Sequence, residues 1–126
     1  MGDGCQMAGT IEYLDDLGIV LVKTSGTYDL ERELDTVLSA LRNLELHDGN
    51  KLLFDHRDST VIARNQSPFN RATDYAKIGL KKSTRIATVV NKISVELRLY
   101  ENTCIGLGWN VEVFDDYDTA LKWLAK

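Results

Sequence analysis

The 126-residue chain has the composition of one globular domain, with 44% hydrophobic and 27% charged residues. Its formal net charge is −4, from 15 basic and 19 acidic side chains. That balance gives no general attraction to nucleic acid or to an anionic membrane surface. No apolar run approaches the length of a membrane span. We therefore expect a single fold, no nucleic-acid partner and no membrane span.

The N-terminal residues and the two cysteines indicate the compartment. The start of the chain lacks the basic and apolar segments of a signal peptide. We expect residues 1–8 to form a flexible tail before one domain that spans residues 9–126. Cys5 and Cys104 have neither a CxxC nor a zinc-ligand spacing. Reduced thiols are therefore expected, and the sequence predicts a cytoplasmic protein.

The first two predicted elements form a hairpin. Residues 9–15 alternate between apolar and polar side chains, which is typical of a half-buried edge strand. Residues 19–22 are apolar on both faces, so the second strand is predicted to lie inside the sheet. Ser25 and Gly26 are predicted to end it.

A helical period begins at Asp29. Thr27 or Asp29 is the predicted N-cap, and Glu31 and Glu33 lie in the predicted first turn, where acidic side chains stabilise a helix. The apolar side chains then fall on one face. They are Leu30, Leu34, Val37, Leu38, Leu41 and Leu44.

The third strand and the segment after it are the most informative part of the chain. Residues 51–54 are a short and largely apolar strand, Lys51 followed by Leu-Leu-Phe, which is typical of a central strand. A polar loop is predicted from Asp55 to Ser67, because Ser67 is a good N-cap and Pro68 suits the first helical position. This helix is expected to run to Gly79. Open α/β sheets place ligand or partner sites where such strands end.

The second half of the chain repeats the alternation of strand and helix. A strand is predicted at 85–90, a helix capped by Asn91, a strand at 111–114 and a last helix capped by Asp116. The predicted order is ββαβαβαβα. It indicates an α/β domain with a mixed, mostly parallel, five-stranded sheet that is flanked by helices.

This order, with Leu-Leu-Phe-Asp at 52–55 before a loop and Val-Phe-Asp-Asp at 113–116 before the last helix, resembles the SpoIIAA-like, STAS-type domains. It is most similar to their uncharacterised bacterial branch. The resemblance implies a four- to five-stranded mixed sheet with flanking helices. It also implies a regulatory role, because the best-known members are anti-sigma factor antagonists that are switched by serine phosphorylation.

The phosphorylated motif of those regulators is absent. In them an Asp-Ser-Ser-Gly-like segment lies at the start of the helix that follows the third strand, and no such segment occurs in this sequence. Asp55 matches the aspartate at the strand end. Ser67 is the nearest substitute for the serine and Ser59 is a second phosphorylation candidate, although capping alone explains a serine before Pro68.

The polar residues after the third strand do not predict an enzyme. Asp55, His56 and Ser59 could form a catalytic relay, but successive side chains of an extended segment point to opposite sides, so these three would converge only in an unusual loop. His47 and His56 stand on different elements, which argues against a histidine metal site. The Gly106-Leu107-Gly108 turn follows a helix and not a strand, unlike a nucleotide-binding loop. We expect no catalytic residue, no metal and no cofactor.

The sequence therefore predicts a non-enzymatic regulatory or protein-interaction module. Its partner-binding residues are expected in the loop after the third strand and at the start of the next helix. They are Asp55, Arg57, Asp58, Ser59, Arg64 and Ser67. Asp55 also has a structural interpretation, as a strand-end carboxylate that accepts loop N–H groups. The partner is an unidentified protein, and homodimerisation through an edge strand or a helix face stays open.

The alternative function is a carrier or sensor of a small or lipid-like ligand. Large and small inward side chains alternate along the second and third helices, which can leave a pocket between these helices and the sheet. They are Phe69, Ala72, Ala76, Ile93 and Leu97. An enzyme ranks third, because the sequence assembles no cleft with a titratable pair.

Overall fold

The computed structural model describes residues 7–29, 34–62 and 68–126, which form five strands and four helices. In chain order the elements are β1 Met7–Leu14, β2 Ile19–Asp29, α1 Leu34–Leu46, β3 Lys51–Ile62, α2 Pro68–Lys77, β4 Arg85–Val89, α3 Val95–Gly106, β5 Asn110–Phe114 and α4 Tyr117–Ala125. The strands form one sheet in the order β1-β2-β3-β4-β5. β1 and β2 are antiparallel, and the other neighbours are parallel. The predicted α/β class and the order ββαβαβαβα are confirmed.

β3 is the central strand, and its apolar run is buried on both sides of the sheet. Leu52 and Leu53 are both 0% exposed, although their side chains point to opposite faces. A strand covered on both faces has no solvent-facing position that favours a polar residue. This explains why residues 51–54 do not alternate as β1 does.

The two faces of the sheet are covered differently. Side chains of α1, α2 and α3 pack on one face, which we call the three-helix face, in a cluster that includes Val37, Tyr75 and Tyr100. α4 covers the other face, the α4 face, with Ala120 and Leu124 as buried contacts. The fold therefore has three layers, with a hydrophobic core on each side of one sheet.

β2 and β3 are longer than the sequence predicted. Residues 25–29 pair with residues 58–62, so β2 does not end at Ser25 or Gly26 and β3 does not end before Asp55. Tyr28 is completely buried, and Val61 packs against the same cluster. This burial stabilises a polar stretch of strand beyond the apolar run.

The starts of two helices also differ from the prediction. Thr27 and Asp29 lie in β2 and are not caps of α1, whose described part begins at Leu34, while Glu31 and Glu33 lie outside the described residues. α3 is capped by Ser94 instead of Asn91, because the Ser94 hydroxyl accepts the Leu97 N–H at 3.1 Å.

Two other predicted features are confirmed. α2 begins at Pro68. α4 is capped by Asp116, whose carboxylate accepts the Thr119 N–H at 2.9 Å.

The outer edge of β5 is blocked by side chains of α3. The carboxylate of Glu101 accepts the Val113 N–H at 2.6 Å and pairs with Arg98 at 2.7 Å. A free strand edge can pair with a strand of another chain, so this ion pair protects part of the sheet. In the part of the chain that the structure describes, no helix is both long and apolar enough to cross a membrane.

Candidate functional site

A bulge in β3 lies where the apolar run of this strand gives way to charged residues. Over one step of the β2–β3 ladder, β2 advances from residue 23 to residue 25 while β3 advances from 55 to 58. His56 and Arg57 therefore oppose the single residue Thr24, which is the arrangement of a β-bulge. Bulges are rare in parallel strand pairs and are over-represented next to functional sites.

The bulge changes which side chains of β3 share a face. Phe54 and His56 lie on the three-helix face before it, and Ser59 and Val61 lie there after it. The extra residue shifts the alternation by one position. His56 and Ser59 therefore come together, contrary to the strict alternation assumed from the sequence. Asp55 stays on the α4 face, so the three residues do not form a catalytic relay.

On the three-helix face, Thr24 links His56 to Ser59. The Thr24 Oγ1 lies 2.7 Å from Nδ1 of His56 and 2.6 Å from Oγ of Ser59. Thr24 is 4% exposed and His56 is 2% exposed. The imidazole also packs against Tyr28, with ring centroids 4.2 Å apart. We call Thr24, His56 and Ser59 the hydroxyl–imidazole cluster.

Burial makes His56 a weak base. It lowers the pKa of His56 to about 4, and the nearby charge of Asp55 opposes this effect only in part. The imidazole is therefore neutral at pH 7 and is poorly suited to general-base catalysis. It also contacts Ser59 only through Thr24, so no activated serine results. The cluster serves to satisfy buried polar groups.

On the α4 face, Arg57 is held in one orientation. Its Nε and Nη2 donate to the two carboxylate oxygens of Asp55 at 2.9 and 2.8 Å. The guanidinium carbon lies 4.4 Å from the centroid of the Tyr117 ring. The Asn91 side chain donates a hydrogen bond to the Arg57 carbonyl, which anchors the backbone of the bulge. We call Asp55, Arg57 and Tyr117 the arginine cluster.

The arginine cluster keeps a buried carboxylate ionised. Burial alone would raise the pKa of Asp55, but hydrogen bonds from Arg57 and its positive charge, helped by Lys23, hold that pKa below the usual value. The contact in turn raises the pKa of Arg57. The Arg57 side chain is 44% exposed although its partner is buried. A fixed guanidinium with an open side is suited to a carboxylate or carbonyl of a partner.

The structure separates the predicted partner-binding residues. Arg57 and its partner Asp55 belong to the arginine cluster, and Asp58 is exposed directly after it. Ser59 is half-buried on the opposite face. Arg64 and Ser67 lie outside the described residues. The segment predicted as a loop is thus strand as far as Ile62, and its side chains serve two different faces.

Sequence reasoning missed three residues that position the site, namely Thr24, Asn91 and Tyr117. Thr24 follows an apolar strand, and nothing in its neighbours indicates that it faces a bulge. The sequence predicts Asn91 as a helix cap, and nothing in the neighbours of Tyr117 indicates that its ring lies against an arginine. One signal was available for the strand itself, because Thr60-Val61-Ile62 is a run of β-branched residues.

Neither of two grooves lined by described residues is the predicted ligand pocket. One of about 250 Å³ lies between β1, β2 and α1, and one of about 200 Å³ lies near the end of α1. In the predicted position between α2 and α3, Leu97 is buried in the core, and the side chains of Phe69 and Ala72 are not described. That pocket stays a prediction. Among the described residues, no three His, Cys, Asp or Glu side chains are grouped to hold a metal ion.

Three of the solved structures that match this architecture come from bacteria. An anti-sigma factor antagonist from Mycobacterium paratuberculosis matches with a TM-score of 0.60 and 16% identity, covering 100% of both chains. An uncharacterised protein of the DUF3478 family with a SpoIIAA-like fold, from Shewanella loihica, matches with a TM-score of 0.53 and 20% identity over 98% of each chain. The phosphorylated form of the Bacillus cell fate determinant SpoIIAA matches with a TM-score of 0.52 and 8% identity, over 92% of this chain and 98% of that one.

The similarity at these low identities is one of fold. No family model matches the chain, and no curated protein sequence matches it. The chain has the SpoIIAA-like fold, so the resemblance stated from the sequence is confirmed at the level of architecture.

Proposed function

We propose that this chain is a non-enzymatic regulatory module that binds a protein partner through the arginine cluster and the exposed residues of β3 beyond the bulge. The observation that supports this most strongly is the state of Arg57. Three contacts fix its position, yet 44% of its side chain is exposed. An arginine that is already ordered loses less side-chain entropy on binding, and arginine is enriched among residues that dominate interfaces.

The fold neighbours agree with a protein partner. One of them is an anti-sigma factor antagonist, a protein named for its action on another protein. By analogy we propose a regulatory partner for this chain. We place its binding at the carboxyl end of the parallel strands, where the arginine cluster lies. Asp58, directly after Arg57, extends the proposed surface, and Arg64 and Ser67 are proposed to continue it.

A phosphorylation switch is proposed at Ser67 before Ser59. Ser67 directly precedes Pro68, the first residue of α2, where added phosphate charge interacts favourably with the helix dipole. The Ser59 hydroxyl is 2.6 Å from Thr24, so modification of Ser59 requires the hydroxyl–imidazole cluster to open. Homodimerisation and the cytoplasmic location stay proposals. Of the tail predicted at residues 1–8, Met7 and Ala8 lie in β1, where they pair with Gly26 and Ser25.

Substitution at the bulge tests the partner surface. The partner would be captured by cross-linking in a bacterial extract and then purified, and its affinity would be measured by titration calorimetry. We expect Arg57→Ala and the exposed reversal Asp58→Arg each to weaken binding by at least about tenfold, which is about 1.4 kcal/mol. Arg42→Ala is the matched control, since Arg42 is an exposed arginine on α1, and it should leave the affinity unchanged.

Circular dichroism of each variant separates loss of binding from loss of fold. Asp58→Arg is needed for this reason, because Arg57→Ala also removes the partner of the buried Asp55 carboxylate. If folded Arg57→Ala and Asp58→Arg proteins both bound the partner as tightly as Arg42→Ala does, the proposed surface would be wrong.

A further inference from the structure

The groove between β1, β2 and α1 depends on a glycine. Gly9 of β1 pairs with Thr24 of β2, so the space above Thr24 is not filled by a cross-strand side chain. A Cβ atom at Gly9 would lie 2.9 Å from the Lys23 carbonyl oxygen, closer than such contacts normally come. The groove of about 250 Å³ is lined by Gly9, Thr10, Ile11, Val22, Thr24, Asp35, Thr36 and Ser39.

The lining has a distinct chemical character. Four of these residues carry hydroxyl groups, one carries a carboxylate and none is basic. Asp35 is exposed in the first turn of α1. Ile11 and Val22, which are cross-strand partners, add an apolar surface. The only charge on the described lining is therefore negative, which disfavours an anionic ligand and favours a cation.

We propose that this groove is a binding site for a small aliphatic ammonium ion. An ammonium group has three N–H donors and no acceptor, which matches the Asp35 carboxylate and the hydroxyl oxygens of Thr36 and Ser39. The hydrocarbon part of the ligand lies against Ile11 and Val22 and loses contact with water there. The volume is below the roughly 300–1,000 Å³ of pockets for drug-sized ligands, so the ligand has few heavy atoms.

The site also contacts the hydroxyl–imidazole cluster. Thr24 lines the groove, and its hydroxyl is bonded to His56 and Ser59. A ligand that contacts Thr24 therefore changes the surroundings of the His56 ring. This gives the test a reporter that lies within the protein and not on its surface. The proposal is independent of the partner-binding function.

Three probes with the same carbon chain and different charge test the ligand class. Titrations with n-butylammonium, n-butanol and n-butyrate would be followed by ¹H–¹⁵N NMR at low ionic strength, with the His56 imidazole signals as a second readout. We expect saturable shifts at Thr24, Asp35 and His56 with n-butylammonium. n-Butanol should bind more weakly, and n-butyrate should give no saturable shift at these residues.

Two aspartates at equivalent helix positions provide a matched pair of variants. Asp35 lies in the first turn of α1 and Asp118 in the first turn of α4. We expect Asp35→Asn to weaken n-butylammonium binding by roughly three- to fivefold, as for loss of a contact with an exposed carboxylate. Asp118→Asn should leave the affinity unchanged, and both substitutions are isosteric and exposed, so the fold is retained.

Several results would overturn the proposal. They are equal shifts with all three probes, saturable shifts confined to residues outside the groove, or equal effects of Asp35→Asn and Asp118→Asn. Tighter binding of n-butanol than of n-butylammonium would assign the groove to a neutral ligand and would also reject an ammonium site.

Discussion

The two faces of the β3 bulge carry polar clusters of opposite character. On the α4 face, the arginine cluster is charged, and Arg57 is 44% exposed. On the three-helix face, the hydroxyl–imidazole cluster is neutral, and both Thr24 and His56 are buried. The bulge therefore exposes the charged Arg57 side chain on one face and buries the polar side chains of Thr24 and His56 on the other.

The difference between the clusters follows from the side chains that pack on each face of the sheet next to the bulge. The imidazole of His56 packs against Tyr28 and Phe54, so it has left water and needs a hydrogen-bond partner. Arg57 lies against Tyr117 and pairs with Asp55, and 44% of its side chain stays exposed to water. We infer that the buried cluster contributes mainly to stability and the exposed one mainly to recognition.

Acidification should affect the buried cluster most strongly. The pKa of His56 is lowered from 6.5 to about 4 in the folded protein. Between these values the unfolded chain binds a proton that the folded chain does not, so the free energy of unfolding decreases as the pH falls from 6.5 to 4. The full decrease should be roughly 3 kcal/mol. Urea unfolding at several pH values measures it.

The two histidines allow a controlled version of this measurement. His56→Phe removes the titrating group and should flatten the pH dependence between 6.5 and 4. His47→Phe should keep it, because His47 is exposed and its stacking on Tyr13 can be retained by a phenyl ring. If the free energy of unfolding of His56→Phe decreased with acidification as much as that of the unsubstituted protein, another group would be the cause of the decrease. Asp55 is not that group, because its lowered pKa places its contribution at lower pH.

Removal of the Thr24 hydroxyl should have the next largest effect. Thr24→Val keeps the shape of the side chain but leaves Nδ1 of His56 without its partner at 2.7 Å. A buried polar group that loses its hydrogen bond costs about 1–3 kcal/mol, and we expect a decrease of about 2 kcal/mol in the free energy of unfolding. Ser25→Ala, at the exposed neighbouring position, should change it by less than about 0.5 kcal/mol.

Coupling between the two buried residues gives a sharper test. In the double variant Thr24→Val with His56→Phe, both partners are apolar, so the second substitution should cost less than it does alone. Strictly additive losses in denaturant unfolding would mean that the two side chains do not stabilise each other, and the proposed role of the buried cluster would fail.

The sequence predicted the elements of the fold because each has a local cause. Residues 52–54 are apolar at every position, and Asp116 and Pro68 are strong local signals at helix starts. The end of β3 could not be placed in this way. Residues 55–60 are mostly polar, and they remain in a strand because residues 25–29 of β2 pair with residues 58–62, a contact between distant parts of the chain.

The sequence predicts the region of the candidate site but not its geometry. The change from Phe54 to Asp55 marks the region of the bulge, since that change is local. The split into two clusters depends on the one-residue bulge opposite Thr24, which reverses the alternation. Asn91 and Tyr117 reach the site from the segment after β4 and from α4, so their roles arise only when the sheet has formed.

We expect the smallest change in stability at Asp58, on the exposed side of the bulge. Asp58 is exposed next to Arg57, and it interacts with the Arg57 guanidinium through its charge. Asp58→Asn should therefore change the free energy of unfolding by less than about 0.5 kcal/mol, measured by the same urea titration as Thr24→Val. A loss similar to that of Thr24→Val would mean that this surface is committed to the fold. A small change, together with the weakened partner binding expected for Asp58→Arg, would separate recognition on the α4 face from stability on the three-helix face.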